Sequence, residues 1–495
     1  MKNSAILCAL TGALYGQIAP SSPPDAVFRA TTKLVQLSVI AQDVKGAPVA
    51  DLRRENFTIF DNGSPQEIRV FLSEPSAQSG KDAGKPALPL PPNTFTNRIA
   101  APAGTRSGYS IILIDDLFTP SDPPGEEGTS YASVPILRAL RSLPADDKVA
   151  ILALRRPLKV ICEFTSDRDL LERQFRKNWA PIPSTPPPPP KQVIPQAAPT
   201  RGNAEEEFER IQLLQRSSAS DEALSVLADY LAGIPGRKNL MMLSTRFFIS
   251  AKAAQKLAQA NVAIYPIDLN GVKGGSKGDP EMLAAMTGGI AFNKRNDLDV
   301  AMHEAIEDGR VSYMLGYYRP GDGDDRIPHR IAIRVSRPGV TLRYRANSEA
   351  EPAPPKSDNP VAGLIQALNW PVDATSIALT AQANRKQNRL DLSVAIDATN
   401  LDLELRDGLW RGEAEIVARF MAADATQVGD VVSQTATFNL HPATYARVLE
   451  TGIPYRTQLD IPAKAVELRL LVGNLATGKI GTLTVPLTQL TEAAK

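Results

Sequence analysis

The run Tyr109 to Thr119, Y-S-I-I-L-I-D-D-L-F-T, constrains this chain more than any other stretch. Its apolar residues Ile111, Ile112, Leu113 and Ile114 are consecutive, so a strand here has no polar face and must be covered on both sides. Such a strand belongs in a sheet with helices packed on each face. The run ends in Asp115 and Asp116, with Thr119 just beyond. Ligands of open α/β sheets bind outside the carboxyl ends of the strands, so acids and a hydroxyl at this position are the first candidates for holding a metal or an anion.

The pattern after this run alternates between helix and strand. Helices are predicted around Ser133 to Leu143, after the cap Thr165-Ser166-Asp167, over 204–232, at Ala251 to Ala260, Pro280 to Met286 and Leu298 to Ile306. Strands are predicted at Lys148 to Leu154, Leu158 to Phe164, Leu240 to Leu243, Val262 to Asp268 and Val311 to Tyr318. Arg155-Arg156-Pro157 is too short for a crossover, which makes the strands on either side of it antiparallel neighbours. Gly288-Gly289 stops the fifth of these helices. The region 108–320 therefore reads as a doubly wound sheet. The insertion at 181–203 is proline-rich, and its part 181–199, with five consecutive prolines, can form neither a helix nor a central strand.

The flanks read as all-β. Residues 28–75 carry alternating runs around Leu34 to Asp43 and Phe57 to Phe60, with Asp61-Asn62-Gly63 as a hairpin turn. That segment is too small to stand alone. The hairpin at 326–346, around Pro338-Gly339, is expected to pair with it, so that the α/β region is inserted into one sandwich and its ends lie close together. Residues 76–107 and 347–360 are rich in Pro, Ser and Gly and read as linkers. Residues 361–495 begin with a short helix near Leu364 and continue as alternating runs, which suggests an Ig-like β-sandwich of about seven strands.

Composition removes several function classes. A net charge of +1 gives no electrostatic reason to bind nucleic acid. The 3 histidines, His303, His329 and His441, fall in unrelated elements, and no G-x-S-x-G, H-E-x-x-H or Cys–His pattern occurs. Ser244 follows a buried strand but lacks a nucleophile elbow, so a hydrolase is a distant alternative. Gly274-Gly275 with Lys277-Gly278 lacks the spacing and hydroxyl residue of a phosphate-binding loop. The first residues pair Lys2 with a short apolar run, so 1–23 reads as a secretory signal peptide. Cys8 would leave with it, and Cys162 then remains alone as a small core residue without a disulfide. No later stretch is long and apolar enough to be an integral membrane segment.

Several motifs occur together in a recurring order: Leu113 to Thr119, Phe164-Thr165-Ser166-Asp167, Gly236-Arg237-Lys238-Asn239-Leu240, Tyr265-Pro266-Ile267-Asp268 and Thr287-Gly288-Gly289. With Leu34-Val35-Gln36, Asn56 to Gly63 and Arg310 to Tyr317, they resemble the von Willebrand factor A-related exported proteins of Acidobacteria. The resemblance covers roughly 28–346. It implies a Rossmannoid A domain flanked by β modules, a periplasmic or extracellular location, and a non-enzymatic role in adhesion to a protein or cell-surface ligand. It also implies a metal-ion-dependent adhesion site for Mg²⁺ or Mn²⁺, in which hydroxyls, a carboxylate and waters surround the ion. Asp115 matches the first acid and Thr119 the second hydroxyl, while Leu117 replaces the first hydroxyl and offers no oxygen. Asp116 compensates only if it turns toward the cleft. The later hydroxyl falls in the proline-rich insertion, where Thr185 and Thr200 are the candidates. The later acid is replaced by Ser244-Thr245. The expected site is degenerate, and the alternative role is a structural envelope scaffold without a metal or specific ligand.

Overall fold

The computed structural model describes residues 32–73, 90–99, 108–118, 133–143, 147–179, 201–272, 277–320, 329–345, 347–348 and 360–491. It is a mixed α/β chain with several separate sheets.

The first strands are β1 (Thr32–Gln42), β2 (Phe57–Asp61), β3 (Ser64–Gln66), β4 (Val70–Ser73) and β5 (Thr94–Thr96). The next part contains β6 (Tyr109–Asp115), α1 (Ser133–Ser142), β7 (Lys148–Leu154), β8 (Lys159–Thr165), α2 (Arg168–Asn178), α3 (Arg201–Leu231) and β9 (Lys238–Ser244). It continues with β10 (Arg246–Phe247), α4 (Ala251–Gln259), β11 (Val262–Asp268), β12 (Lys277–Gly278), α5 (Pro280–Thr287) and α6 (Leu298–Asp308).

Five of these strands form one sheet in the order β11-β9-β6-β7-β8, parallel except for β8. Side chains of a strand alternate between faces. On β6, Ile111 and Leu113 enter a core shared with α3 and α4, while Ile112 and Ile114 enter a second core shared with α1, α2 and α6. Each such side chain contributes roughly 1.5–3 kcal/mol when fully buried. Cys162 is buried on β8. Asp167 caps α2 by accepting from the Leu170 amide at 2.9 Å. Gly288 ends α5 in the left-handed region at φ 81°, and a Cβ on Gly289 would collide with the Ile264 carbonyl oxygen, which accounts for both glycines.

After α6 come β13 (Tyr313–Pro320), β14 (His329–Val335), β15 (Thr341–Tyr344) and β16 (Asn347–Ser348). Here the structure corrects the sequence reading. The strand placed at the end of the α/β region, 311–318, does not join its sheet. β13 lies between β1 and β4 in the sheet β15-β1-β13-β4. Tyr313, Leu315 and Tyr317 are buried, whereas Tyr318 is exposed, so the strand is half-buried and suits an antiparallel sheet. The facing sheet is β16-β14-β2-β3. Val35, Leu37, Ile59, Tyr317, Ile331 and Ile333 share the core between them, so residues from both ends of the α/β region build one module.

This module meets the N-terminal edge of the parallel sheet. Arg343 and Gln42 hold Asp308 at the end of α6, and Asp308 also accepts from the Tyr265 hydroxyl at 2.6 Å. The carboxyl ends of β6, β9 and β11 point the other way.

The last part comprises α7 (Pro360–Ala367), β17 (Leu379–Lys386), β18 (Arg389–Ile396), β19 (Glu404–Arg406), β20 (Leu409–Met421) and β21 (Gln427–Leu440). It closes with α8 (Pro442–Thr451), β22 (Ile453–Asp460), β23 (Glu467–Gly473) and β24 (Ile480–Pro486). The sheets β22-β18-β17-β5 and β19-β20-β23-β24 enclose a common apolar core, and β21 pairs with β20. A second correction concerns the linker expected at 76–107. Thr94 to Thr96 form β5, an edge strand on β17. Asn97 fixes it there: its Nδ2 donates to the carbonyls of Ala374 at 2.8 Å and Ile377 at 3.0 Å, and its Oδ1 accepts from the Leu379 amide at 2.7 Å. Helix α8, absent from the sequence reading, starts at Pro442 and stops at Gly452. Among the described residues no helix is long and apolar enough to cross a membrane.

Candidate functional site

The sheet order makes the candidate site specific. The chain steps from β6 to β7 on one side and later returns to β9 on the other, so the strand order reverses at β6. Ligands of such sheets enter at this switch point, beyond the carboxyl ends. Asp115, Ser244 and Asp268 end β6, β9 and β11, and all three are fully buried.

Asp115 has no unused oxygen. Its Oδ1 accepts from the amides of Leu117 at 2.9 Å and Phe118 at 3.2 Å, an arrangement that closes the turn after β6. Its Oδ2 lies 2.6 Å from Ser244 Oγ. Ser244 Oγ is also 2.6 Å from the Arg246 carbonyl and accepts from the Arg246 amide at 3.0 Å. One hydroxyl hydrogen serves only one of those two oxygens at a time, whereas a proton on Asp115 lets both short contacts be hydrogen bonds. Burial pushes the Asp115 carboxyl up to about 7, with Ser244 and the two turn amides acting against that rise. Geometry and electrostatics agree that this acid holds a proton readily.

Asp116 does not turn into the cleft. It pairs with Arg155, and both side chains are largely buried. Burial raises its pKa, with Arg155 and then Lys159 opposing. Arg155 also lies over the Trp179 ring, 5.4 Å from its centroid. Leu117 packs against the core under α3 and α4. Thr119, Thr185 and Thr200 lie outside the described residues.

The described first residues of the neighbouring loops are tied together. Thr245 Oγ1 donates to the Phe118 carbonyl at 2.7 Å, so Ser244 and Thr245 together tie the loop after β9 to the loop after β6. Phe118 is buried and meets Phe248 edge-on at 6.1 Å. Asp268 accepts from the amide of Asn270 at 2.9 Å and from its side chain at 2.7 Å, and Asn270 also donates to the Thr245 carbonyl at 2.8 Å. The sequence reading assigned Asp268 no role; its place at the end of an all-apolar strand was the available signal.

Divalent cations of the adhesion-site type need about six oxygens, several of them from carboxylates, hydroxyls and waters. Among the described residues Asp115 is used internally, Asp116 is ion-paired and Leu117 offers no oxygen. No group of three or more His, Cys, Asp or Glu side chains there is arranged to hold a metal. The described residues do not fit Mg²⁺ or Mn²⁺. They do something else: their hydrogen bonds tie the ends of β6, β9 and β11 to one another.

No protein-family model matches the chain, and no curated protein matches it. Solved structures do. A von Willebrand factor type A protein from Catenulispora acidiphila is 8% identical, with 79% of this chain and 75% of that one covered and a TM-score of 0.28. An aerotolerance-related membrane protein from Bacteroides fragilis is 13% identical over 41% of this chain and 98% of its own, with a TM-score of 0.26. Manganese-loaded TRAP protein from Plasmodium vivax is 10% identical over 53% of this chain and 99% of its own, with a TM-score of 0.23. Von Willebrand factor A proteins are thus among the structural neighbours, but likenesses this partial transfer neither a residue nor a role.

Proposed function

We propose that this chain is an exported, non-enzymatic interaction protein of the von Willebrand factor A type, related to those of Acidobacteria, whose adhesion site has lost its metal. In this reading 108–309 is the A domain. The β modules are Ig-like: one is built from 32–73 and 313–348, the other from 90–99 and 360–491. The ligand is a protein or a cell-surface group, and it is bound without Mg²⁺ or Mn²⁺. One observation carries the reading: both acids that end the central strand are consumed inside the protein, Asp115 by its own turn and Ser244, Asp116 by Arg155. The same observation argues against an enzyme, because neither acid is free to move a substrate proton.

The test is a thermal melt of the full chain with excess Mg²⁺ or Mn²⁺ against EDTA. A metal bound only by the folded state at ~100 times its Kd adds about 2.7 kcal/mol. We expect no shift. An upward shift that disappears in Asp115→Ala would establish a working metal site and overturn the proposal.

A further inference from the structure

We propose that the outer edge of β21 is a self-association surface, where two copies of this chain pair their β21 strands antiparallel and join their C-terminal sheets across a twofold axis.

An edge strand presents a row of unpaired N–H and C=O groups and so templates another strand, and proteins protect such edges with prolines, charges, shortness or cover. Among the described residues, most of the other strands that end a sheet are protected in those ways. β3, β4, β5, β15, β16 and β19 have four residues or fewer. β11 contains Pro266, and β8 carries Lys159 and Glu163. β22 contains Pro454, Arg456 and Asp460. β24 ends in Pro486 and is covered by 374–377, where the Ile377 and Thr482 amides bond across.

β21 differs in kind. It has 14 residues and among the described residues pairs with β20 alone; a register shift at 429–431, with Gly429 and Asp430, interrupts the ladder, and beyond it 432–440 runs without a break for roughly 30 Å. Its stretch 431–440, V-V-S-Q-T-A-T-F-N-L, has no charge, proline or glycine. The buried acid behind it, Glu415 of β20, accepts from the hydroxyls of Ser433 and Thr435. Val432 is 44% exposed on the side that faces the sandwich core.

These features select the occupant. Only an extended backbone satisfies a row of alternating donors and acceptors. A second β21 is self-complementary in the antiparallel sense, because a twofold axis sets each outward N–H against a C=O of its copy. With no charges in 431–440, that pairing puts no like charges opposite each other, and a charged partner strand would find nothing to select it. The added strand also covers Val432 of each copy.

The experiment is sedimentation equilibrium of the full chain, alone, with Val432→Lys and with Thr437→Lys. Lysine at an edge is the protection β21 lacks. The expected result is twice the chain mass of 53.3 kDa for the unmodified protein, with dimerisation at least ~10-fold weaker in each variant and an unchanged melt of the isolated monomer. An unmodified chain that stays monomeric at ~100 μM would overturn the proposal, including the case in which a foreign peptide adds to β21 instead. So would a dimer that survives in both folded variants. Should a variant fail to fold, amide exchange of the unmodified chain decides: alternate amides of 431–440 protected only at high concentration support the pairing, and protection independent of concentration refutes it.

Discussion

Asp115 was legible in the sequence as an acid at the end of a buried strand, but its use was not. Whether its oxygens face a metal or its own turn depends on Leu117, Phe118 and Ser244, and Ser244 lies on a strand far away in the chain. The sequence supplied the substitution of Ser244-Thr245 for an acid; the fold explains what that substitution does, which is to hydrogen-bond the loop after β6. The pH dependence follows from burial. Folding raises the carboxyl from 3.8 to about 7. Between those values the folded chain holds a proton that the unfolded chain has released, so the contribution of this group to stability falls as pH rises, by at most about 1.4 kcal/mol per pH unit. Denaturant unfolding of the unmodified protein and of Asp115→Asn across that window should give curves that diverge with rising pH, the unmodified chain losing stability relative to the variant. Parallel curves would mean that the carboxyl is charged throughout.

At the scale of elements, long uniform strands were readable and short or half-buried ones were not. β6, β9 and β11 announce themselves by unbroken apolar runs. β13 does not, because Val311 to Tyr318 fits both a buried parallel strand and a half-buried antiparallel one; the alternation of Tyr313, Leu315 and Tyr317 was the clue that favoured the second. Helix α8 carried a signal in Pro442 and Gly452 that the surrounding β pattern masked. β5 carries almost none, since three residues among prolines become a strand only by finding β17. Asn97 is what holds them, and it is nearly inaccessible to solvent. Asn97→Ala removes the side-chain partner of the buried Ile377 carbonyl and the buried Leu379 amide, while the Ala374 carbonyl keeps the Thr482 amide, and each such loss costs about 1–3 kcal/mol where no water replaces it. We expect Asn97→Ala to lower stability by about 3 kcal/mol in denaturant melts, against a few tenths for the exposed Thr437→Ala.

For the whole molecule, the decisive fact is that the chain visits each β module twice, once before the α/β region and once after it. β1 finds its neighbours in β13 and β15, and β2 in β14. A chain cut after Gly309 should therefore keep slow amide exchange in β6, β9 and β11 while 32–73 exchanges as unfolded chain. Retained protection in 32–73 would show that this segment folds without its later partners. The same topology sets a timetable. Thr32 waits for Pro320 and Thr96 for Thr380, which at ~5–20 residues per second is tens of seconds of synthesis. The segments made first are among the last to find a partner. Whatever compartment this protein folds in, its two outer modules need protection from aggregation until the centre has been made.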